Sequence, residues 1–296
     1  MRKKMELMSV VFAAVVIGCS SENDEQRVEK SVTDEQRVVV TFMPYDVSPM
    51  TRGDGGPVGE ATGTVAMTRT ATSIASIVTH LDVWLVSGGD VIALQQTKDD
   101  AGFGSISVTL DNTKTYTLYA VGHKADGATM ADGVIAFTDD KVTHSMYYTT
   151  TFSPATTTSI DAEMTRIVGN FRVEITDAVP DEVTRMAIHI GESPTRWNVT
   201  TGGCNPVDRS ATYNIGTKTG VILSTFVIAQ DDAATDYMMT VTAYDANDDV
   251  VQERTFADVP IRNGYRTTYR GAFFTDAVFT TSFTVNDWND YETVDF

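Results

Sequence analysis

Short runs of alternating apolar and polar residues recur along most of the chain. The run at 115–123, TYTLYAVGH, shows the pattern, because Tyr116, Leu118 and Ala120 occupy every second position. Successive side chains of a strand point to opposite faces of a sheet, so such a run predicts a β-strand. No long segment of the sequence shows the i, i+3, i+4, i+7 spacing of an amphipathic helix. The pattern therefore predicts an all-β protein.

The predicted strands form two blocks, separated by the Thr-, Ser- and Pro-rich stretch 147–159, YYTTTFSPATTTS, which we interpret as a linker. Short strands at spacings of roughly 8–12 residues, with turn signals between them, are typical of β-sandwiches. We therefore expect two β-sandwich domains in tandem, an N-terminal one over 37–160 and a C-terminal one over 161–296. The predicted strands are 37–43, 81–87, 91–96, 105–110, 115–123, 183–190, 212–215, 221–229, 237–244, 250–256, 265–274 and 279–285, with a further strand-like opening at 166–180.

The first residues, MRKKMELMSVVFAAVVIGC, have a different pattern. Arg2, Lys3 and Lys4 precede an almost wholly apolar run over 8–17. A helix that spans a bilayer needs about 20 apolar residues. The run is shorter, and it has the length of a signal-peptide core.

Residues 16–19, VIGC, resemble the lipobox of bacterial lipoproteins. A signal peptidase needs a small residue before the cut, which is Gly18, and the thiol of Cys19 is the group that a diacylglycerol can alkylate. We expect a lipoprotein signal peptide over 1–18, cleavage between Gly18 and Cys19, and an anchor in the outer membrane through lipid on Cys19. Two or three acyl chains hold stably, because each buried methylene contributes about 0.8 kcal/mol. The alternative is an ordinary secretory signal with a chance cysteine.

Residues 19–36 are rich in charge, and we interpret them as an acidic tether. The absence of Asp directly after Cys19 is similar to lipoproteins that are released to the outer membrane. The acidic residues Glu22, Asp24 and Glu25 resemble a signal that exports some lipoproteins to the cell surface. A solvated acidic linker explains the same residues.

Composition narrows the classes of function. The 296-residue chain has a net charge of −18, which argues against nucleic acid as a partner because phosphate binding needs clustered Lys and Arg. It has two cysteines, Cys19 and Cys204, and with lipid on Cys19 only Cys204 keeps a free thiol, so we expect no disulfide to stabilise it. We expect Cys204 to be a small buried apolar residue rather than a nucleophile.

The sequence carries no recognisable catalytic or metal-binding motif. Its four histidines are scattered singly without zinc-like spacing, and there is no G-x-S-x-G or Walker sequence. The acidic stretch 245–249, DANDD, lacks the closing Glu of a calcium loop, which favours a solvated turn. The prediction is a protein that is not an enzyme and that has no metal and no cofactor. A lipid-anchored glycosidase or protease is the alternative, but no residue supports it.

Several segments, taken in their order, resemble the fimbrillin superfamily of type V pili in Gram-negative bacteria. They are spread over nearly the whole chain: VVVTFMPY at 38–45, PMTRG at 49–53, AMTRT at 66–70, HLDVWLVSGGD at 80–90, AGFGSISVTLDNTKTYTLYAVGH at 101–123, FRVEITDAVP at 171–180, DVPIRNGYRTTYRGAFF at 258–274 and FTVNDW at 283–288. The resemblance implies two transthyretin-like Greek-key β-sandwiches and assembly with other fimbrial subunits through strand exchange.

The resemblance also implies sites of processing. In stalk subunits of the superfamily, a protease cuts after an Arg beyond the first strand and that strand is lost. Arg52 and Arg69 match this position. In anchor subunits the first strand stays, and the lipid holds the base of the pilus to the membrane.

The C-terminal strand is the candidate donor for a neighbouring subunit. Phe279, Thr281, Phe283 and Val285 share one face of that strand, and Trp288 follows as a residue that could fill a terminal pocket. The alternative is that 279–285 is the last strand of its own domain.

The sequence thus predicts a structural subunit of a cell-surface fimbria, lipid-anchored in the outer membrane and exposed at the surface. Whether it is anchor-like or stalk-like stays open at this point. The alternative is a surface lipoprotein that binds glycans or proteins of host or bacterial surfaces through its loops, with Trp197 as a candidate exposed aromatic residue.

Overall fold

The computed structural model describes residues 34–45, 73–229 and 235–275, together with the backbone of Thr284–Asp287. All described side chains belong to one compact unit that starts at Asp34. The predicted signal peptide, most of the predicted acidic tether and the segment 46–72 with the two candidate cleavage sites fall outside these residues, so these calls stay predictions. The predicted site residues outside the described part are Gly18, Cys19, Arg52, Arg69, Phe279, Thr281, Phe283 and Trp288.

The described residues form seventeen β-strands and two short 3₁₀ turns, Ile74–Ser76 and Thr138–Asp140, so the all-β prediction is confirmed. The first nine strands are β1 (Glu35–Pro44), β2 (His80–Ser87), β3 (Asp90–Thr97), β4 (Ser105–Asp111), β5 (Tyr116–His123), β6 (Ala128–Ala131), β7 (Val134–Phe137), β8 (Met146–Phe152) and β9 (Ser159–Arg166). The others are β10 (Gly169–Ile175), β11 (Arg185–Asn198), β12 (Gly202–Asn214), β13 (Ile222–Val227), β14 (Thr235–Tyr244), β15 (Val250–Ile261), β16 (Tyr265–Gly271) and β17 (Thr284–Asp287).

The first sandwich is a seven-stranded path, in the order β3-β2-β5-β8-β9-β1-β4, whose two ends face each other. Strands β8 and β9 join through only two residue pairs, at the corner where the path folds over. The stretch that the sequence suggested as a linker is therefore mostly strand. The facing layers share one core, which contains Val38, Val40, Phe42, Leu81, Val83, Leu85, Leu118, Ala120, Ile160, Ala162 and Met164.

The second sandwich packs the four-stranded sheet β13-β10-β16-β17 against a sheet built on β15, β14 and β11, with β12 beside β11. The tandem β-sandwich prediction is thereby confirmed. Its core contains Phe171, Val173, Ile175, Met186, Ile188, Ile190, Val241, Val259, Tyr269 and Phe273.

The two sandwiches repeat one arrangement around their first strands. Strand β1 lies between β4, which is antiparallel to it, and β9, which is parallel. Strand β10 lies in the same way between antiparallel β13 and parallel β16. Parallel neighbours need a long crossover connection. Here the connection between the two parallel strands contains most of the other strands of each sandwich. The strand that opens each half is therefore central in its sheet.

The hairpin β6–β7 joins the halves, because β7 pairs with β11 at Arg196–Ala136, Trp197–Ile135 and Asn198–Val134. Strand β9 pairs with β1, so the first sandwich continues past the predicted boundary at residue 160. The division into two domains stays a prediction. A third buried cluster lies where the halves meet. It contains Trp84, Val121, Ala125, Ala128, Ile135, Phe137, Val142, Tyr147, Ile167, Val168 and Ile228.

Candidate strand-exchange site

Strand β1 is bonded on both sides, so its removal would leave two unpaired strand edges. Residues Glu35–Thr41 pair with β4, and Val39–Pro44 pair with β9. Beyond its end, the amide of Tyr45 donates to the carbonyl oxygen of Met164 at 2.8 Å. An unpaired edge exposes backbone N–H and C=O groups that a strand from another chain can satisfy.

The core-facing side of β1 is apolar and buried. Val38, Val40 and Phe42 are 0%, 1% and 3% exposed. Each such side chain contributes about 1.5–3 kcal/mol by leaving water. Val39 and Met43 on the other face are only partly buried. The seat of β1 is therefore a groove that selects a strand with apolar residues at every second position.

The turn before β4 closes this groove at the end that holds Phe42. The amide of Phe42 donates to the carbonyl oxygen of Gly104 at 2.8 Å. Gly104 has φ of +92°, and a Cβ placed on it would lie 2.7 Å from Cγ2 of Ile74. A glycine is needed there both for the left-handed backbone and for the close approach of Ile74, which covers the end of the seat.

The terminal strand β17 pairs with β16 of its own sandwich through four residues, and it lies at the edge of that sheet. Val285, the one predicted donor residue with a described backbone, is opposite Thr267. This pairing corresponds to the alternative in which the strand completes its own domain. Donation to another subunit stays a prediction.

The chain is fixed just before the C-terminal segment. Both carboxylate oxygens of Asp177 accept hydrogen bonds from the backbone amides of Phe273, Phe274 and Thr275, at 2.7, 2.8 and 3.0 Å. Arg254 Nε donates to the Phe273 carbonyl oxygen at 2.8 Å, and the Phe273 side chain is fully buried. Partial burial alone would raise the pKa of Asp177, but the amide hydrogen bonds outweigh it and lower that pKa.

We expect Asp177→Asn to lower the free energy of unfolding by about 1–2 kcal/mol, because an amide offers one acceptor oxygen where the carboxylate offers two. Urea denaturation at pH 7 measures this loss. The matched control is Asp181→Asn, since Asp181 is exposed in the loop that follows. Equal stability of the two variants would contradict the anchoring role of Asp177.

Trp197, the candidate sugar-binding aromatic residue, is a packing residue. Its ring lies 6.1 Å from that of Tyr147, centroid to centroid, against the cluster between the halves. Its indole nitrogen is buried. The Trp197 side chain is therefore partly buried rather than fully exposed, and its part in glycan binding stays a prediction.

The other candidates for chemistry are also structural. Cys204 is only partly buried, so the expectation of a buried residue is wrong in that respect. The partial burial still raises the pKa of its thiol, which disfavours the reactive thiolate. The Asp245 carboxylate accepts bonds from the amides of Asn247 and Asp249, at 2.8 and 2.9 Å, and so closes its own turn. Within the described ranges, no group of three or more His, Cys, Asp or Glu residues could hold a metal ion. No helix there has the length and apolar character needed to cross a membrane.

One buried polar cluster was not evident from the sequence. Asp82 and His123 are 2% and 0% exposed, and their Oδ2 and Nε2 atoms are 2.6 Å apart. The His80 ring stacks on His123 with centroids 5.5 Å apart. These histidines were expected to be isolated, and only the pairing of β2 with β5 brings them together.

The comparisons with known proteins agree with this fold. Residues 128–294 match a family of unknown function, DUF6562, while a search of the curated proteins gives no match. A DUF1812 protein from Bacteroides thetaiotaomicron, whose description proposes polysaccharide binding, has a TM-score of 0.50 at 11% identity, over 86% of this chain and 96% of its own.

Two solved fimbrial proteins are also similar. The fimbrial anchor protein Mfa2 from Porphyromonas gingivalis has a TM-score of 0.44 at 12% identity, over 86% of this chain and 98% of its own. A fimbrial assembly protein from Parabacteroides distasonis has a TM-score of 0.44 at 9% identity, over 85% and 99%. The likeness to the DUF1812 protein, with its TM-score of 0.50, shows a shared fold. Since the family match covers more than half of the 296 residues, the chain belongs to DUF6562, a family of unknown function.

Proposed function

We propose that this protein is a structural subunit of a cell-surface fimbria, exported as a lipoprotein and joined to its neighbours by β-strand donation. The observation that supports it most is the seat of β1, a central strand with three buried apolar side chains and partners on both edges. The likeness of the sequence to the fimbrillin superfamily supplies the biological setting. A glycan-binding role has no comparable observation in its favour.

The proposal gives two roles to the same strand. Cleavage after Arg52 or Arg69 separates β1 from the rest of the sandwich, and the lipid on Cys19 leaves with it. The vacated seat then takes a strand from another subunit, which satisfies the free edges of β4 and β9 and refills the core. Without cleavage β1 stays, and the lipid holds the subunit in the outer membrane as an anchor.

The C-terminal segment has the spacing that the seat requires. The seat buries positions 38, 40 and 42 of β1, which is every second residue. Phe279, Thr281, Phe283 and Val285 repeat at the same period. We propose this segment of a second subunit as the incoming strand.

N-terminal sequencing of the protein from cells tests the proposal. A stalk role gives a mature start at Gly53 or Thr70 in sheared, high-molecular-weight fibres, and an Arg52→Ala, Arg69→Ala double variant does not enter them. An anchor role gives a start at Cys19 in the outer membrane, at the base of the fibres. A protein that stays monomeric in cells and never co-purifies with fibres would refute both roles.

Synthetic peptides test the strand exchange itself. Protein cleaved in the 46–72 loop and stripped of β1 is expected to bind the peptide of residues 35–44 and the peptide of residues 278–288. The control peptides carry Val40→Asp and Phe283→Asp, which place a charge in the apolar seat. Equal binding of peptide and control would contradict the exchange.

A further inference from the structure

The β13 edge of the second sandwich is closed by side chains. Strand β13 is the last strand of its sheet, with β10 as its neighbour. Ile175 N donates to Val221 O at 2.9 Å, so the alternate residues of β13 that follow in register bond to β10. In an antiparallel pair the residues between them point their carbonyls away from the neighbour. The carbonyls of Ile222, Ser224, Phe226 and Ile228 therefore face the open edge.

Three of these four carbonyls, those of Ser224, Phe226 and Ile228, accept a hydrogen bond from a side chain of the opposite sheet. Tyr213 Oη donates to Ser224 O at 2.7 Å, and Tyr237 Oη donates to Ile228 O at 3.0 Å. Between them, Arg209 Nη2 donates to Phe226 O, and its Nε donates to Ser193 Oγ at 3.0 Å. We call Arg209, Tyr213 and Tyr237 the β13 seal.

The environment keeps the donors of the β13 seal protonated. Burial raises the pKa of Tyr213 and of Tyr237 to about 12, so both phenols keep their protons at neutral pH. Burial lowers the pKa of Arg209 to about 10, which still leaves the guanidinium charged. A desolvated arginine is costly unless it is well paired. The hydrogen bonds from Arg209 to Phe226 O and to Ser193 Oγ supply that pairing.

The equivalent edge of the first sandwich, on β4, is much less protected. Phe42 N bonds to Gly104 O, so Ser105, Ser107 and Thr109 are the residues whose carbonyls point away from β1. Among the described residues, Ser105 O alone of these three receives a side-chain hydrogen bond, from Gln96 Nε2 at 3.0 Å. The two halves share their strand arrangement but differ in how this edge is treated.

We propose that the β13 seal prevents a second copy of this chain from adding to the second sandwich through β13. A free edge strand is a template for pairing with the same strand of another copy. The exposed Ile222 at the start of β13 would favour such contact. With three of the four outward carbonyls occupied by side chains, we expect pairing between copies to use other edges. This inference does not depend on the proposed function.

The test compares the wild-type protein with the triple variant Arg209→Met, Tyr213→Phe, Tyr237→Phe, which removes the donors and nearly keeps the volumes. Sedimentation equilibrium is expected to show a dimer dissociation constant lower by about tenfold or more in the variant. Hydrogen exchange of the Ser224 and Phe226 amides is expected to slow as the variant's concentration rises. The matched control is Arg185→Met, Tyr244→Phe, since Arg185 lies over the Tyr244 ring at 3.9 Å on the same sheet but away from β13.

A suppressor separates edge pairing from simple unfolding. Adding Ile222→Lys to the triple variant places a charge at the exposed start of β13, which is a common protection of edge strands. It is expected to restore the monomer and the fast exchange. Where the triple variant does not fold, Tyr213→Phe alone frees Ser224 O and is expected to give the same change at smaller size. A folded variant that stays monomeric, or association that Ile222→Lys leaves unchanged, overturns the proposal.

Discussion

Replacing Phe42 by Ala is expected to lower the free energy of unfolding by about 3–5 kcal/mol, the range found when a buried phenylalanine is truncated. The side chain is 3% exposed and lies in the core between the layers of the first sandwich. Its loss leaves a cavity under β1 that the neighbouring strands cannot fill, since their registers are fixed by pairing on both sides. Urea denaturation, followed by tryptophan fluorescence, measures the change.

The adjacent position gives the control for this experiment. Met43 lies on the opposite face of β1 and is only partly buried, so Met43→Ala is expected to cost about 1 kcal/mol or less. If β1 stabilises the sandwich only through its core-facing side chains, the free energies of unfolding of the two variants will differ clearly. If both cost the same, the packing of β1 is not what holds it in its seat, and the strand-exchange proposal loses its energetic basis.

The size of this effect also bears on assembly. A strand that replaces β1 must recover most of the free energy that Val38, Val40 and Phe42 contribute, because an empty groove leaves both apolar surface and backbone groups exposed. In a fimbria joined in this way, neighbouring subunits would share one hydrophobic core. That makes dissociation as costly as local unfolding.

The alternation of apolar residues was enough to predict the fold class and several strands. Strands β2 and β5 lie close to the predicted 81–87 and 115–123. Buried positions alternate only in the first half of β5, and the middle of β2 is buried on both faces. The stretch 147–159 was interpreted as a linker since Thr, Ser and Pro dominate it, although β8 and the start of β9 lie there. Threonine is common in both loops and strands, and whether such a segment forms a strand depends on its cross-strand partners.

The geometry of the sites could not be predicted from the sequence. The isolated strand 37–43 was identified, but its place between β4 and β9 depends on pairings with residues about 70 and 120 positions away. The β13 seal was missed for the same reason, because Arg209, Tyr213 and Tyr237 meet the edge only when two sheets pack together. A periodic pattern reports which face of a strand is buried and carries no information on its neighbours.

Acid is expected to destabilise the protein through His144. This residue is 8% exposed, stacks on Phe226 of the second sandwich with centroids 5.6 Å apart, and accepts a hydrogen bond from Arg166 Nε at 3.0 Å. A ring nitrogen that accepts from a guanidinium must be unprotonated, so the folded state holds His144 neutral. Burial, and then the nearby Arg166 charge, lower its pKa from 6.5 to about 3.

The direction of the pH effect follows from this depressed pKa. Above pH 6.5 the histidine is neutral in both the folded and the unfolded chain, and its contribution does not change with pH. Between pH 6.5 and about 3 the unfolded chain binds a proton that the folded chain does not. Stability is therefore lost as the pH falls, by on the order of 1 kcal/mol per pH unit in this window.

Urea denaturation at pH 7, 5.5 and 4 tests this expectation with two variants. His144→Gln keeps a polar side chain that can accept from Arg166 but does not titrate, so its stability is expected to fall less steeply with pH than that of the wild type. His189→Gln is the matched control, since His189 is exposed on β11 and its variant is expected to follow the wild-type slope. Parallel slopes for the wild type and His144→Gln would contradict the prediction.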